Sequence, residues 1–277
     1  MITKILGERR GFFFGFSSFI GGLLGIVGAM ISFILLEYYV YPYGFIFCFI
    51  IAFTLTFMSW IFVSITREPS YPTVISQNSL KDYLWKLPEI FRKDRNFTVF
   101  LVAMILTSFT SMANSFYTVY AIDMFNLVDS DIALFTLLLL GSRMVVGPLC
   151  GYFGDRKGHK IFVELGVMSS LCAILIATFA NSRLPFCLIF TLMGVSISVQ
   201  MVSQRSIVPD FCTSEERPIY LSLSSTVQAP FIVIPPILGG LLVSRLGYPI
   251  VFLFTAIIVA SGLGFLHLVR EPRQKRI

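Results

Sequence analysis

The chain is poor in charged residues and in the side chains that most enzymes use. Asp, Glu, Lys and Arg make up 13% of its 277 residues, whereas a soluble domain carries about 25%. Its two histidines, His159 and His267, are far apart in sequence and do not form a metal-ligand pair. No Walker A loop, HExxH motif or nucleophile elbow occurs. We therefore expect no enzyme, no cofactor, no metal and no direct use of ATP.

Long apolar stretches fill most of the sequence, and hydrophobic residues make up 56% of it. A transmembrane helix needs about 20 mostly apolar residues. The stretches do not alternate as barrel strands do, and a backbone in lipid must satisfy its own hydrogen bonds. These features predict an all-α membrane protein, a polytopic helical bundle with about eight transmembrane helices in a lipid bilayer. The predicted spans are 11–36, 44–66, 98–122, 132–153, 161–180, 185–207, 218–243 and 248–269.

Basic residues concentrate in every second connection between these spans. The two termini, the loop after the second span and the segments 156–160 and 205–217 hold 18 of the 21 Lys and Arg residues. The other connections hold Arg183 and Arg245, and Arg143 lies inside a span. By the positive-inside rule, both termini are cytoplasmic. The net charge of +6 therefore indicates topology rather than nucleic-acid binding, and we expect a multi-pass protein of the plasma membrane.

The first two spans resemble the last two. Glu8-Arg9-Arg10 matches Glu215-Glu216-Arg217, Tyr43 matches Tyr248, and Arg67-Glu68-Pro69 matches Arg270-Glu271-Pro272, each about 205 residues later. This distance corresponds to one half of a duplicated transporter. The first span also carries two GxxxG pairs, at Gly11 and Gly15 and at Gly21 and Gly25, which favour close helix packing.

The loop after the second span has apolar residues at helical spacing. They predict an amphipathic helix on the cytoplasmic membrane surface, with an ordinary domain linker as the alternative. The residues are Leu80, Tyr83, Leu84, Leu87 and Phe91.

The segment 151–160 reads Gly-Tyr-Phe-Gly-Asp-Arg-Lys-Gly-His-Lys and joins two predicted spans. We interpret it as a tight basic turn. Gly151 and Gly154 allow a neighbouring helix to approach, and Gly158 permits the positive φ of a turn. Asp155 suits pairing with a basic residue or accepting backbone N–H groups at a helix start. The alternative is a basic hairpin with no gating role.

With these features the chain resembles the major facilitator superfamily, whose members have twelve helices in two halves and a Gly-x-x-x-Asp-Arg-x-Gly-x-Lys type of loop in each half. The resemblance implies that the eight spans are the fifth to twelfth helices. Residues 1–66 would be a two-helix remnant of the N-terminal half, 67–97 a cytoplasmic linker and 98–277 a complete six-helix half. The first four helices would be missing, through truncation, a late start or their presence on a second chain.

The resemblance also implies transport of a small-molecule substrate by alternating access, either secondary active or facilitative. The alternative is a non-transporting accessory subunit or remnant that binds another chain. The segment 151–160 would be a cytoplasmic gating latch, with Glu215 and Arg217 as candidate partners. Its residues are Gly151, Asp155, Arg156, Gly158 and Lys160.

Polar side chains within the spans are candidates for the substrate cavity, because such groups are costly in lipid. Arg143 could contact an anion or a carbonyl group, or it could serve the structure alone. Hydrogen bonding between helices is the alternative for the uncharged residues. The candidate set is Asn114, Tyr117, Tyr120, Arg143, Gln200, Gln204 and Gln228.

Overall fold

Helices build the described part of the chain. A computed structural model describes residues 10–65, 91, 94–125, 127, 129–213 and 216–272. Within these residues eight helices are long and apolar enough to cross a membrane, and no strand occurs. The predicted all-α, polytopic membrane bundle is confirmed. The helices are α1 Arg10–Tyr38, α2 Tyr43–Ile65, α3 Arg95–Phe125, α4 Asp129–Lys157, α5 Lys160–Thr178, α6 Leu184–Asp210, α7 Arg217–Leu246 and α8 Tyr248–Leu268.

The helix α2 shows why such a sequence requires lipid. It contains no charged residue, and Gly44 alone among its residues is buried. Its hydroxyl groups bond to carbonyl groups one turn earlier, as Thr54 does to Ile50 at 2.8 Å and Ser64 to Trp60 at 2.9 Å. The outer surface of α2 is therefore apolar all round, which suits a hydrocarbon solvent.

Two of the spans are interrupted. Within α3 the helical segments are Arg95–Ser108, Thr110–Asn114 and Tyr117–Phe125. Within α6 a π-helical segment, Gln200–Gln204, follows the α-helix Leu184–Val199. The span then ends in short helical turns up to Asp210. The predicted polar residues Asn114, Gln200 and Gln204 lie at these interruptions, and π-helical segments often occur at functional sites.

The helices α3 to α8 pack into one bundle. Contacts join α4 to α6, α6 to α5, α5 to α8 and α8 to α3, and α7 packs against α3 and α8. The core contains an aromatic cluster in which the ring of Tyr120 lies 5.9 Å from Phe186 and 5.5 Å from Phe252. This bundle corresponds to the predicted six-helix half, whose role as a separate domain stays a prediction.

The helix α1 packs along α4 through a seam of small residues. A Cβ atom on Gly15 would lie 2.5 Å from the carbonyl oxygen of Gly147, and Gly151 faces the backbone of Gly11. The first GxxxG pair thus permits close packing of α1 on α4. Among the described residues the second pair forms no such packing, because Cβ atoms added at Gly21 and Gly25 would have no described atom within 4 Å.

Side-chain contacts define the two ends of the bundle. At one end Asn96 and Arg270 exchange hydrogen bonds of 2.9 and 2.8 Å. At the other end the Tyr248 hydroxyl donates to Asp123 at 2.6 Å. The start of α3 thus lies beside the end of α8 and the end of α3 beside the start of α8, so these two helices run antiparallel.

Two predictions from the sequence meet the described residues only in part. The predicted amphipathic helix falls largely on residues 66–90, outside the described part, although the carbonyl of Phe91 accepts a hydrogen bond from Thr98 at 2.9 Å. The matched tyrosines of the repeat, Tyr43 and Tyr248, are the first residues of α2 and α8. Equivalent positions thus begin equivalent helices.

Candidate functional site

The end of α4 carries the segment that the sequence singled out. The structure corrects the prediction that all of 151–160 forms a turn. Helix α4 continues through Lys157, so Gly151, Asp155 and Arg156 are helical. The helix stops because Gly158 has a φ of 96°, which glycine adopts without steric cost. The Gly158 N–H bonds to the carbonyl of Gly154 at 3.0 Å. The turn itself therefore consists of two residues, Gly158 and His159.

Asp155 caps the start of another helix. Its carboxylate oxygens accept hydrogen bonds from the backbone N–H groups of Gly11 at 2.9 Å and Phe12 at 2.7 Å. The first N–H groups of a helix have no partner within the helix and carry partial positive charge. The first turn of α1 contains no acidic residue. Among the described residues, Asp155 of α4 supplies negative charge at this N-terminus, which is the backbone-capping role expected for it.

His159 links this carboxylate to α6. Its side chain is fully buried, with Nε2 3.3 Å from Asp155 Oδ1 and Nδ1 3.3 Å from Ser203 Oγ. A carboxylate can only accept, so Nε2 carries the hydrogen that points to Asp155. Ser203 belongs to the π-helical segment of α6. A chain of contacts thus connects α1, α4 and α6 through one histidine.

A second carboxylate, Glu271, lies against the same turn. Its Oε2 accepts from the backbone N–H of Lys160 at 3.3 Å, at the start of α5. The Lys160 ammonium donates to the carbonyl of His267 at 3.1 Å and pairs with Glu164 at 3.3 Å. A Cβ atom on Gly158 would lie 2.5 Å from the Glu271 carboxyl carbon. The turn is therefore attached to the region beyond α8 as well as to α1.

The remaining residues of the segment have local contacts. The Arg156 guanidinium lies over the ring of Tyr152, 4.2 Å from its centroid. Glu215 is outside the described residues, and Arg217 begins α7. Among the described residues the segment contacts the start of α1, Ser203 of α6 and Glu271, and the part of Glu215 and Arg217 as latch partners stays a prediction.

A groove of about 310 Å³ lies between α1, α4 and α6, and Arg143 lines it. The Arg143 Nη2 donates to the sulfur of Met201 at 3.2 Å, and its Nε is buried without a hydrogen-bond partner among the described residues. Arg143 is therefore a predicted cavity residue that lines a groove of this size. The groove is lined by Phe14, Ser17, Ser18, Gly21, Gly22, Leu140, Arg143, Met201 and Arg205.

The three predicted glutamines lie together beside a smaller cavity. Gln204 donates from Nε2 to Gln228 Oε1 at 3.0 Å, which joins α6 to α7. Gln200 and Gln204 line a cavity of about 20 Å³ with hydroxyl groups from Thr107 and Thr110. This volume suits a single water molecule rather than a solute.

The aromatic stripe of α3 lies in the packed core. Tyr117 is fully buried and Tyr120 is 4% exposed, and the ring of Tyr117 lies 5.6 Å from Phe252. Asn114 is half-buried, at the end of its short helix. The structure thus places both tyrosines away from the groove of Arg143.

Sequence reasoning missed two residues that the structure brings to these sites. His159 follows Asp155 by four positions and lies in the turn that ends α4. Arg205 directly follows the predicted Gln204 and was assigned only to the basic connection. The glycine spacing did not reveal that the turn after Lys157 folds His159 back onto Asp155, and no sequence pattern pointed Arg205 toward Arg143.

Comparison with known proteins agrees with this architecture. Residues 130–277, more than half of the chain, match the family described as Major Facilitator Superfamily. A stretch of 132 residues is 28% identical to the sphingosine-1-phosphate transporter SPNS2 of Danio rerio and covers 44% of this chain. The match covers 26% of that relative, so the chain spans about a quarter of its length. The chain is an integral, multi-pass membrane protein, and it belongs to the Major Facilitator Superfamily.

Proposed function

We propose that this chain is a secondary active or facilitative transporter that moves a small solute by alternating access. The observation that carries the proposal is the pair of hydrogen bonds from Gly11 and Phe12 to Asp155. They join the ends of two helices whose contact runs through small residues. Such a contact is broken when α1 and α4 separate, and it re-forms when they close.

The latch consists of Gly151, Asp155, Arg156, Gly158 and Lys160. A charged cap at a helix N-terminus contributes about 1–2 kcal/mol. A contact shifts a conformational equilibrium only by its difference between the two states. Because about 1.4 kcal/mol is a factor of ten, loss of the cap on opening would favour the closed state by roughly tenfold.

The substrate path in this proposal follows the groove of Arg143. Arginine within a membrane span costs about 2.5–3.5 kcal/mol on insertion scales, so it is retained where it faces a partner or a polar cavity. Gln200, Gln204 and Gln228 would continue the path as its polar wall. The packing of Tyr117 and Tyr120 gives them the role of supporting that wall.

The chain would lie in the plasma membrane with both termini in the cytoplasm. The support is electrostatic: Arg156, Lys160 and Arg270 gather at the same end of the bundle as Asp155. Positive residues next to a span are retained on the cytoplasmic side. The transport role requires no catalysis and no cofactor.

A second candidate is a non-transporting accessory chain that binds another protein or a separate N-terminal segment. The observation that favours it is the exposure of α1 and α2. The most apolar stretch of each helix contains no residue that is buried inside the fold. In this candidate another chain covers that surface, whereas in the transporter lipid does.

Proteoliposomes that contain the purified full chain separate the two candidates. Uptake is measured for sphingosine 1-phosphate, the solute named for the zebrafish relative, and for a panel of other small solutes. The transporter predicts uptake by the wild type, a several-fold loss in Asp155→Asn and no loss in Asp131→Asn. Asp131 is the control because it pairs with the exposed Arg183 at the opposite end, at 3.4 Å.

Two outcomes count against the proposal. Uptake that appears only when a second chain is co-reconstituted supports the accessory role. If uptake is unchanged in Asp155→Asn at equal insertion into the liposomes, Asp155 has no gating role. The transport proposal then loses the observation on which it mainly rests.

A further inference from the structure

We propose that the groove between α1, α4 and α6 binds a phosphate group, either of a free solute or of a lipid headgroup. The inference rests on the proposed transport function, because it assigns a substrate class to the same cavity. Its basis is the joint presence of Arg143 and Arg205 with Ser17 and Ser18 on the wall of one groove.

The charge of the groove is the first argument. Arg143 comes from α4 and Arg205 from α6, and no carboxylate is among the residues that line the groove. Among the described residues, neither guanidinium has an ion-pair partner. Two like charges beside a low-dielectric wall create a strong local potential that attracts anions. A ligand with two negative charges is the match for two arginines, and phosphate monoesters carry nearly that charge at neutral pH.

Unused hydrogen-bond donors are the second argument. The Nε of Arg143 and the Oγ of Ser18 are both buried without a partner in the part of the chain that the structure describes. The Arg143 Nη2 has only the Met201 sulfur, at 3.2 Å, which is a weak acceptor. Buried polar groups in native proteins nearly always have partners. The Arg143 side chain is only half-buried, so it has hydrogen-bonding capacity that the fold leaves unused beside the groove.

The local packing holds Arg143 in position. The Ser198 hydroxyl of α6 donates to the Arg143 carbonyl at 3.1 Å. Ser18 of α1 packs against α4, where a Cβ atom on Gly147 would lie 2.9 Å from the Ser18 Cβ. Arg205 is exposed and lies toward the open side. Donors on three helices thus surround one opening, whose size of about 310 Å³ is at the lower limit of small-ligand sites.

The location of the groove connects ligand binding to motion. Ser17 and Ser18 belong to α1, whereas Arg143 and Arg205 belong to α4 and α6. A phosphate held by both sets would draw α1 toward the other two helices. It would therefore favour the state in which Asp155 caps α1.

Ligand-dependent thermal stability tests this inference on the full chain in detergent. The probes are sodium phosphate against sodium chloride at equal ionic strength, and lysophosphatidic acid against the uncharged monoacylglycerol with the same acyl chain. We expect the phosphate-bearing probe to raise the melting temperature. In Arg143→Gln and in Arg205→Gln the half-saturating concentration should rise by roughly tenfold or more, because each removes charge-assisted hydrogen bonds.

The controls keep the result interpretable. Arg183→Gln removes an exposed arginine at the opposite end and should leave the half-saturating concentration unchanged. Arg205 is exposed, so its replacement tests the site even if Arg143→Gln does not fold. Stabilisation by inorganic phosphate identifies a free anion as ligand, and stabilisation by lysophosphatidic acid alone identifies a lipid headgroup.

Other outcomes overturn the inference. One is the absence of any stabilisation by either phosphate-bearing probe. Another is a loss of binding in Arg183→Gln equal to that in Arg205→Gln, which would show diffuse charge attraction. Solute uptake that persists without phosphate binding would sink this inference while leaving the transport function intact. Phosphate binding without any solute uptake would support this inference and contradict the proposed transport function.

Discussion

Asp155 accepts a hydrogen bond of 2.7 Å from the backbone N–H of Phe12, although 143 residues separate them in the chain. The contact is possible because Gly11 and Gly151 remove side chains where α1 crosses α4. The start of α1 thus depends on a carboxylate of another helix for its cap. This dependence makes the cap sensitive to the relative position of the two helices.

The strength of the cap is open to direct measurement. In Asp155→Asn one oxygen remains as an acceptor, but the charge and the second oxygen are lost. We expect the protection of the Gly11 and Phe12 amides against hydrogen–deuterium exchange to fall by roughly five- to thirty-fold, which corresponds to about 1–2 kcal/mol. The matched variant Asp131→Asn should leave these amides unchanged. Equal exchange in all three proteins would show that the cap contributes nothing.

His159 should support the cap from within the fold. His159→Phe keeps a buried ring but leaves Asp155 Oδ1 and Ser203 Oγ without that partner, which destabilises the protein by about 1–3 kcal/mol. Thermal unfolding in detergent and the same amide exchange at Gly11 measure the effect. His267, with its side chain 83% exposed, is the control, and His267→Phe should change stability by less than about 0.5 kcal/mol. A stability loss with unaltered exchange at Gly11 would limit His159 to packing.

The seam between α1 and α4 predicts opposite effects for two glycines of one helix. Gly15→Ala places a Cβ 2.5 Å from the Gly147 carbonyl oxygen, so the helices must move apart at a cost of about 1–3 kcal/mol. Gly25→Ala meets open space and should stabilise α1 by up to about 1 kcal/mol, because alanine loses less backbone entropy. Unfolding in detergent compares the two variants. A neutral Gly15→Ala would contradict the close packing described here.

The hydrogen bond between Gln204 and Gln228 predicts a measurable coupling. A double-mutant cycle with Gln204→Leu and Gln228→Leu should give a coupling energy of about 0.6 kcal/mol, with a ceiling of about 1.7 kcal/mol for bonds of this kind in membranes. The comparison cycle pairs Gln200→Leu with Gln228→Leu and should be additive within about 0.5 kcal/mol. Equal coupling in both cycles would indicate a general effect on α6 rather than one hydrogen bond.

Much of the fold follows from local properties of the sequence. The eight predicted spans match eight helices, because a long apolar segment in lipid can satisfy its backbone only as a helix. The end of α4 was less accessible to prediction. The whole segment 151–160 was interpreted as a turn, but α4 continues through Lys157. Gly151 and Gly154 lie within the helix and admit Gly11 and the ring of His159, which is the close approach that the sequence predicted for them.

The candidate site was predicted only in part, for the same physical reason. The polar stripe of Tyr117 and Tyr120 has helical spacing, which identifies one face of α3. Spacing does not reveal whether that face meets an aqueous path or other aromatic rings. In the fold it meets Phe186 and Phe252. Arg143 was recognised because a charge inside a span is conspicuous by itself.

The sequence alone determined that the chain lies in a membrane, how many helices it has and at which end basic residues gather. It also identified Asp155 as a candidate gating residue. Each of these depends on composition and spacing along one segment. Only the tertiary structure decided that Asp155 caps α1, that His159 joins it to Ser203, and that Arg143 and Arg205 share a groove. Those relationships depend on which helix faces meet, and that is set by the shape of side chains on segments that are distant in sequence.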